Sequence, residues 1–254
     1  MRTGRFLAFL LLLFLAAFWW AGGSSIVKPY SLSVEKVLAV GHDATGAWDR
    51  LYRLVALKSA VEARLDKKRY VKLADIPLPL QQAVIAVEDS RYYRHFGFDI
   101  EGILRAALVN LQAGEVREGG STITQQLVKN LFLSQEQSVG RKLEEIILAV
   151  DMELHYSKEE ILEMYLNTIY FGAGAYGIQD AARVYFGKEP ANLNLAECAL
   201  LAGLPNAPSV YSPYENLTAA KQRQAVVLAV MVKQGYIGPN QAEEAKRQPL
   251  RLVR

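Results

Sequence analysis

The sequence has little with which to do covalent or metal chemistry. It contains one cysteine, Cys198, so no intramolecular disulfide can form. Cys198 sits in the apolar helical pattern AECALLAGL, where it reads as a small core residue rather than a nucleophile. The histidines His42, His95 and His155 have no zinc-type spacing, which argues against a metal site built by protein ligands alone. There is no long Lys/Arg tract of the kind nucleic-acid-binding arms use, and the net charge is only +3. Nucleic acid is therefore not an expected partner, whereas anionic membranes or phosphate-bearing substrates suit a mild positive balance. Repeats and low-complexity tracts are also lacking. What is present is 51% hydrophobic and 22% charged residues in 254, enough for a substantial core.

The long apolar run is at the start. Phe6 to Ala21 is unbroken, with Arg2 and Arg5 before it and Trp19 and Trp20 at its far end. Basic residues before a span and aromatics after it predict an uncleaved anchor with the chain emerging on the outer face. The rival is a cleaved signal peptide, since Ala21-Gly22-Gly23 offers small residues, but the bulky tryptophans before that point disfavour cleavage. The expected organisation is an anchor at 1–23, a membrane-proximal segment at 24–72 and a mainly α domain at 73–254. SLSVEKVLAV alternates enough to suggest a strand or two, and Trp48 to Tyr70 reads as a helix whose basic end is solvated. From Leu73 the patterning is helical almost throughout. Pro77 and Pro79 precede one helix, capping boxes open others at Ser157–Glu160 and Asn194–Glu197, and Gly235 stops a long run.

Four stretches carry polar residues that packing alone does not explain. AVIAVEDSRYYRHFG leads an apolar helix into Glu88 and Asp89. A carboxylate at a helix end and partly desolvated has a raised pKa, as a base needs; alternatively Glu88 is a surface acid paired with Arg91 or Arg94. In GGSTITQQLVKN a Thr122–Gln125 capping box suffices for those two residues, but Gln126, Lys129 and Asn130 extend a polar face opposite Ile123, Leu127 and Leu131. A helix start of this type suits sugars or phosphate. RKLEE opens a helix with an expected buried face of Leu143, Ile147, Val150 and Leu154, placing Arg141 and Lys142 where cations are disfavoured unless an anion is nearby. SKEEILEMYLNTIYFG has a stripe of Ile161, Leu162, Tyr165 and Leu166, and is expected to support a site rather than form it.

In this order the stretches resemble the bacterial peptidoglycan glycosyltransferases, family 51. ED-x-x-F-x-x-H-x-G is matched by Glu88, Asp89, Tyr92, His95 and Gly97. G-x-S-T-I-T-Q-Q is matched from Gly119 through Ser121, Thr122, Ile123, Thr124 and Gln125 to Gln126, and R-K-x-x-E by Arg141, Lys142 and Glu145. I-L-E-x-Y-L-N runs from Ile161 to Asn167, and Arg223, Val227 and Leu228 give a weaker match to a terminal helix. The resemblance implies a lysozyme-like fold that polymerises lipid II outside the cytoplasmic membrane. Glu88 would be the base and Glu145 the second catalytic carboxylate. Asp89, Tyr92, His95, Gly97, Ser121, Thr122, Thr124, Gln125, Gln126, Lys129, Asn130, Arg141 and Lys142 would bind or position substrate. The partners implied are lipid II, the growing glycan, membrane lipids and other cell-wall synthesis proteins. No cofactor is required, with a divalent cation such as Mg or Mn bridging pyrophosphate and Glu145 as the one candidate.

Three departures stand out. Tyr92 replaces the usual phenylalanine, Gln137 stands where many members have an arginine, and Arg223-Gln224 replaces paired arginines. Ser33-Val34-Glu35-Lys36 fits a bare S-x-x-K pattern, but the companion motifs of a penicillin-binding domain are absent. With 254 residues the expectation is a monofunctional enzyme or a truncation of a larger one. A lysozyme-like muramidase and a catalytically weak membrane scaffold are the competing readings.

Overall fold

The computed structural model describes residues 56–114, 119–133 and 139–253. The described residues are mainly helical, as the patterning requires, with only isolated bridges at Phe96–Phe98 and Tyr170–Tyr176. The helices are α1 (Leu57–Glu62), α2 (Leu78–Glu88), α3 (Ile100–Ala113), α4 (Ile123–Phe132) and α5 (Val139–His155). They continue with α6 (Lys158–Thr168), α7 (Gly177–Phe186), α8 (Leu195–Gly203), α9 (Leu217–Lys233) and α10 (Pro239–Arg247). The expected anchor and the strands within 24–47 lie outside the described residues, as does Gln137. Among the described residues no helix is long and apolar enough to cross a membrane.

Local chemistry sets the helix ends. Pro77 precedes α2, where a missing N–H costs nothing. The capping boxes form as predicted. Thr122 Oγ1 accepts from Gln125 N at 3.1 Å, Ser157 Oγ from Glu160 N at 3.2 Å, and Asn194 Oδ1 from Glu197 N at 3.0 Å. Each cap is worth about 1 kcal/mol. Gly235 ends the α9 run with φ of 74°, a left-handed conformation that glycine adopts without strain.

Two expectations are corrected. The helix sought between Trp48 and Tyr70 is described over Leu57–Glu62 and ends there, short of Tyr70, while 48–55 lie outside the described residues. Asp66 draws the chain out of helix by accepting from Lys68 N and Arg69 Nε, both at 3.0 Å. Val71 is then gripped through its own N–H and C=O by the Asn167 side chain, both at 2.8 Å. The second correction concerns α5. Leu143, Ile147 and Leu154 are 42%, 55% and 68% exposed, and Val150 is only half-buried. The buried face is Glu145, Leu148, Ala149 and Met152, a stripe of the same helical period rotated around the axis.

The core joins two groups of helices. α8 packs against both α2 and α9, while α4 packs against α5 and α6. Ile161, Leu162, Tyr165 and Leu166 are fully buried, as expected for the supporting helix. Cys198 is buried too, and burial pushes its thiol up to about 12, the inert core role expected of it. Leu57, Ala60 and Val61 of α1 belong to the same core as the residues after Leu73. The two groups meet where α2 ends and α4 begins.

Candidate active site

Asp89 makes that junction. Its buried carboxylate accepts from Ile123 N, the first amide of α4, at 3.0 Å and meets His95 Nε2 at 2.9 Å. An acid at a helix N-terminus is favoured by the exposed amides there. Gly97 completes the turn: a Cβ at this position would lie 2.8 Å from Val150 N, and its φ is +76°. Its carbonyl accepts from Thr122 Oγ1 at 2.7 Å.

Holding Asp89 places Glu88 beside the first turns of α4. Gln126 Nε2 donates to Glu88 Oε2 at 2.9 Å, and Tyr165 Oη donates to Gln126 Oε1 at 3.1 Å. Glu88 Oε1 is buried without a protein hydrogen-bond partner. Desolvation raises the Glu88 pKa; the Gln126 bond and the charges of Arg223 and Lys129 oppose the rise, and Asp89 adds to it. The alternative pairing with Arg91 is not adopted, because Arg91 forms ion pairs with Asp99, at 3.1 Å, and with Glu101. Arg94 lines the adjacent cleft instead.

The cleft has a volume of about 780 Å³ and is lined by Glu88, Asp89, Ser121 and Thr122, with Arg91, Arg94, Arg105, Arg223 and Lys233 around them. Arg223 is held by the Gly203 carbonyl at 3.3 Å and lies 5.6 Å from the Tyr211 ring centroid. Gln224 points the other way. It is buried and donates to the Ala196 carbonyl at 2.7 Å. A glutamine at this position therefore satisfies the core and does not remove a cation from the cleft wall.

Glu145 is only 3% exposed. Arg141 Nη1 lies 3.3 Å from its Oε2, and Lys142 bonds its Oε1. The same Lys142 Nζ reaches Ser121 Oγ at 3.1 Å, which ties this cluster to the cleft wall. Both Glu145 oxygens are thus engaged by cations, so a metal bridging from Glu145 does not fit without displacing one of them. Among the described residues no group of three His, Cys, Asp or Glu side chains could hold a metal ion.

A family model described as Transglycosylase matches residues 56–232. The chain belongs to the transglycosylase family. It is 46% identical over 209 residues to penicillin-binding protein 1A of Aquifex aeolicus (strain VF5), covering 82% of this chain and 27% of that one. It is 47% identical over 190 residues to penicillin-binding protein 2D of Bacillus subtilis (strain 168), covering 74% and 28%. The crystal structure of penicillin-binding protein 1A from Haemophilus influenzae aligns with a TM-score of 0.43 at 27% identity, over 72% of this chain and 18% of that one. The chain spans about a quarter of the length of the curated relatives it matches.

Within this transglycosylase, the residues singled out from sequence separate by position. Glu88, Asp89, Ser121 and Thr122 line the cleft. Gln126, Lys129, Arg141, Lys142 and Glu145 connect to it through the bonds and charges above. Asn130 is exposed on α4. Tyr92, Thr124 and Gln125 are buried, and His95 and Gly97 frame the turn. Gln125 takes the capping role expected of it; its Oε1 accepts from Thr122 N at 3.0 Å inside the capping box. Thr124 donates to Glu153 at 2.7 Å, and the Tyr92 hydroxyl gained over phenylalanine donates to the Lys158 carbonyl at 2.7 Å. The residues that sequence reasoning missed are Arg105, Asn206, Tyr211 and Lys233 on the lining. Only Arg223 among the later residues carried a signal, as part of the terminal-helix match.

Proposed function

We propose that this chain polymerises lipid II into linear β-1,4-linked glycan strands on the outer face of the bacterial cytoplasmic membrane. The observation that carries the reading is Glu88, a desolvated carboxylate with one unpartnered oxygen at a cation-lined cleft. In the lysozyme-like frame, Glu88 takes the proton from the acceptor's GlcNAc 4-hydroxyl. The freed oxygen attacks MurNAc C1 of the bound growing chain, the bond from C1 to the pyrophosphate oxygen breaks, and configuration inverts from α to β. Undecaprenyl pyrophosphate leaves. A raised pKa strengthens the base, while Arg223 and Lys129 favour its ionised form. Because Oε1 is buried, the cleft adjusts as substrate enters, in the way catalytic hydrogen bonds tighten on substrate binding.

The leaving pyrophosphate needs charge rather than an acid. Lys129, Arg141 and Lys142, with Arg223 of the cleft lining, supply it. Glu145 holds Arg141 and Lys142 in place, which is a positioning role for the second carboxylate. The exposed apolar side chains support work at a membrane surface. Ile100, Leu104, Leu108 and Leu111 on α3, with Leu143 and Ile147 on α5, are apolar surface that a lipid layer would cover.

A muramidase would use the raised-pKa carboxyl to protonate the leaving sugar and would need a second carboxylate as nucleophile or base, and both Glu145 oxygens are already engaged. Purified chain incubated with lipid II is expected to yield long glycan polymer. Shortening of preformed glycan without polymer would instead identify a muramidase, and neither product would identify a scaffold.

A further inference from the structure

We infer that Tyr165, acting through Gln126, is a positioning residue that fixes the orientation of the Glu88 carboxylate. The inference rests on the transferase reading above. Tyr165 lies on α6 and is fully buried. Its hydroxyl donates to Gln126 Oε1 at 3.1 Å, and Gln126 Nε2 donates to Glu88 Oε2 at 2.9 Å. An ionised carboxylate has no proton to give, so only the amide NH2 can face it. The amide oxygen must then face Tyr165, whose hydroxyl has to donate. Burial, with the charges of Glu88 and Asp89, holds the Tyr165 hydroxyl well above its ordinary value of 10.0, so it remains a donor across the working range. The three groups therefore have one mutually consistent arrangement.

That arrangement also survives the reaction. The proton removed from the acceptor hydroxyl arrives on Oε1, which has no competing protein donor. Oε2 stays an acceptor in the acid as in the ion, so Gln126 need not turn during the cycle. Without the Tyr165 hydroxyl, the amide is free to rotate and to set its oxygen against the carboxylate. The ionised form of Glu88 would lose part of its stabilising bond.

The test compares the full chain with Tyr165→Phe, Gln126→Met and the double variant. Each is followed by lipid II polymerisation across pH and by thermal unfolding. Tyr165→Phe is expected to lower kcat about 3- to 10-fold with KM nearly unchanged, and to move the acid limb of the profile upward by about half a pH unit. Gln126→Met should move it in the same direction. The double variant should be no worse than Gln126→Met alone, because Tyr165 acts through Gln126. An acid limb unmoved by Tyr165→Phe, or losses that multiply in the double variant, would overturn the inference. If Tyr165→Phe does not fold, an unmoved limb in Gln126→Met overturns it. A carboxyl 13C titration of Glu88 needs no substrate and gives the same comparison. Failure of the wild-type chain to polymerise lipid II would sink the transferase reading alone.

Discussion

Glu88 and Glu145 are the same residue type in one protein, yet they have opposite surroundings. Glu88 touches one neutral amide and keeps an unpartnered oxygen. Glu145, more deeply buried as a residue, has an arginine and a lysine on its two oxygens. Role follows environment. On the proposed reading, the carboxylate left with open acceptor capacity takes the proton, and the one engaged by two cations holds them in position. The sequence around each gives little warning of the difference, since both follow apolar or mixed helical patterns.

Breaking the Glu88 side should have the largest effect. Glu88→Gln keeps the shape and removes the base, and is expected to lower polymerisation by at least about 10³-fold. The same change should stabilise the fold at neutral pH. Because the folded-state pKa of Glu88 is raised, the folded chain binds more protons than the unfolded chain between the two values, and stability falls as pH rises through that window. Glu88→Gln should therefore raise Tm at neutral pH, by roughly 2–4 °C for each kcal/mol recovered. The gain should vanish below the ordinary value of 4.5. Loss of activity with a lower Tm would indicate a structural acid.

Glu145→Gln sharpens the comparison from the other side. It frees Arg141 and Lys142 from a buried partner, and about 10- to 100-fold loss is expected from misplaced cations, with the acid limb of the pH profile unmoved. A loss as large as that of Glu88→Gln, accompanied by a moved limb, would make Glu145 the base.

The smallest effect concerns the exposed face of α5. Leu143→Ser with Ile147→Ser should change stability by about 0.5 kcal/mol or less, as surface changes do, and weaken binding to lipid vesicles. Leu148→Ala, one position further round the helix and buried, should cost about 2–5 kcal/mol.

That face also shows where sequence reading stops. The period of α5 was legible, but which side of it is covered was not. The stripe that packs inward contains Glu145, and the more apolar stripe of Leu143, Ile147 and Leu154 looks outward. Periodicity reports that a helix has an apolar face and is silent on what lies against it. Capping boxes at Thr122, Ser157 and Asn194 were legible because they are local chemistry. Arg69 bonds Asp180 and Val71 bonds Asn167, residues far along the chain, so the early end of α1 was hidden. In the site, Glu88, Gln126 and Arg141 stood out by pattern. Tyr211, Asn206 and Lys233 reach the cleft only because α8 and α9 fold back beside α2, and no local signal marks them.

The most direct measurement is the pH dependence of lipid II polymerisation by the intact chain, alongside Glu88→Gln. An acid limb with a midpoint above the ordinary carboxylate value of 4.5 is expected, with no measurable polymerisation by the variant at any pH. A midpoint at or below that value, or a variant that polymerises at the wild-type rate, would contradict Glu88 as the base.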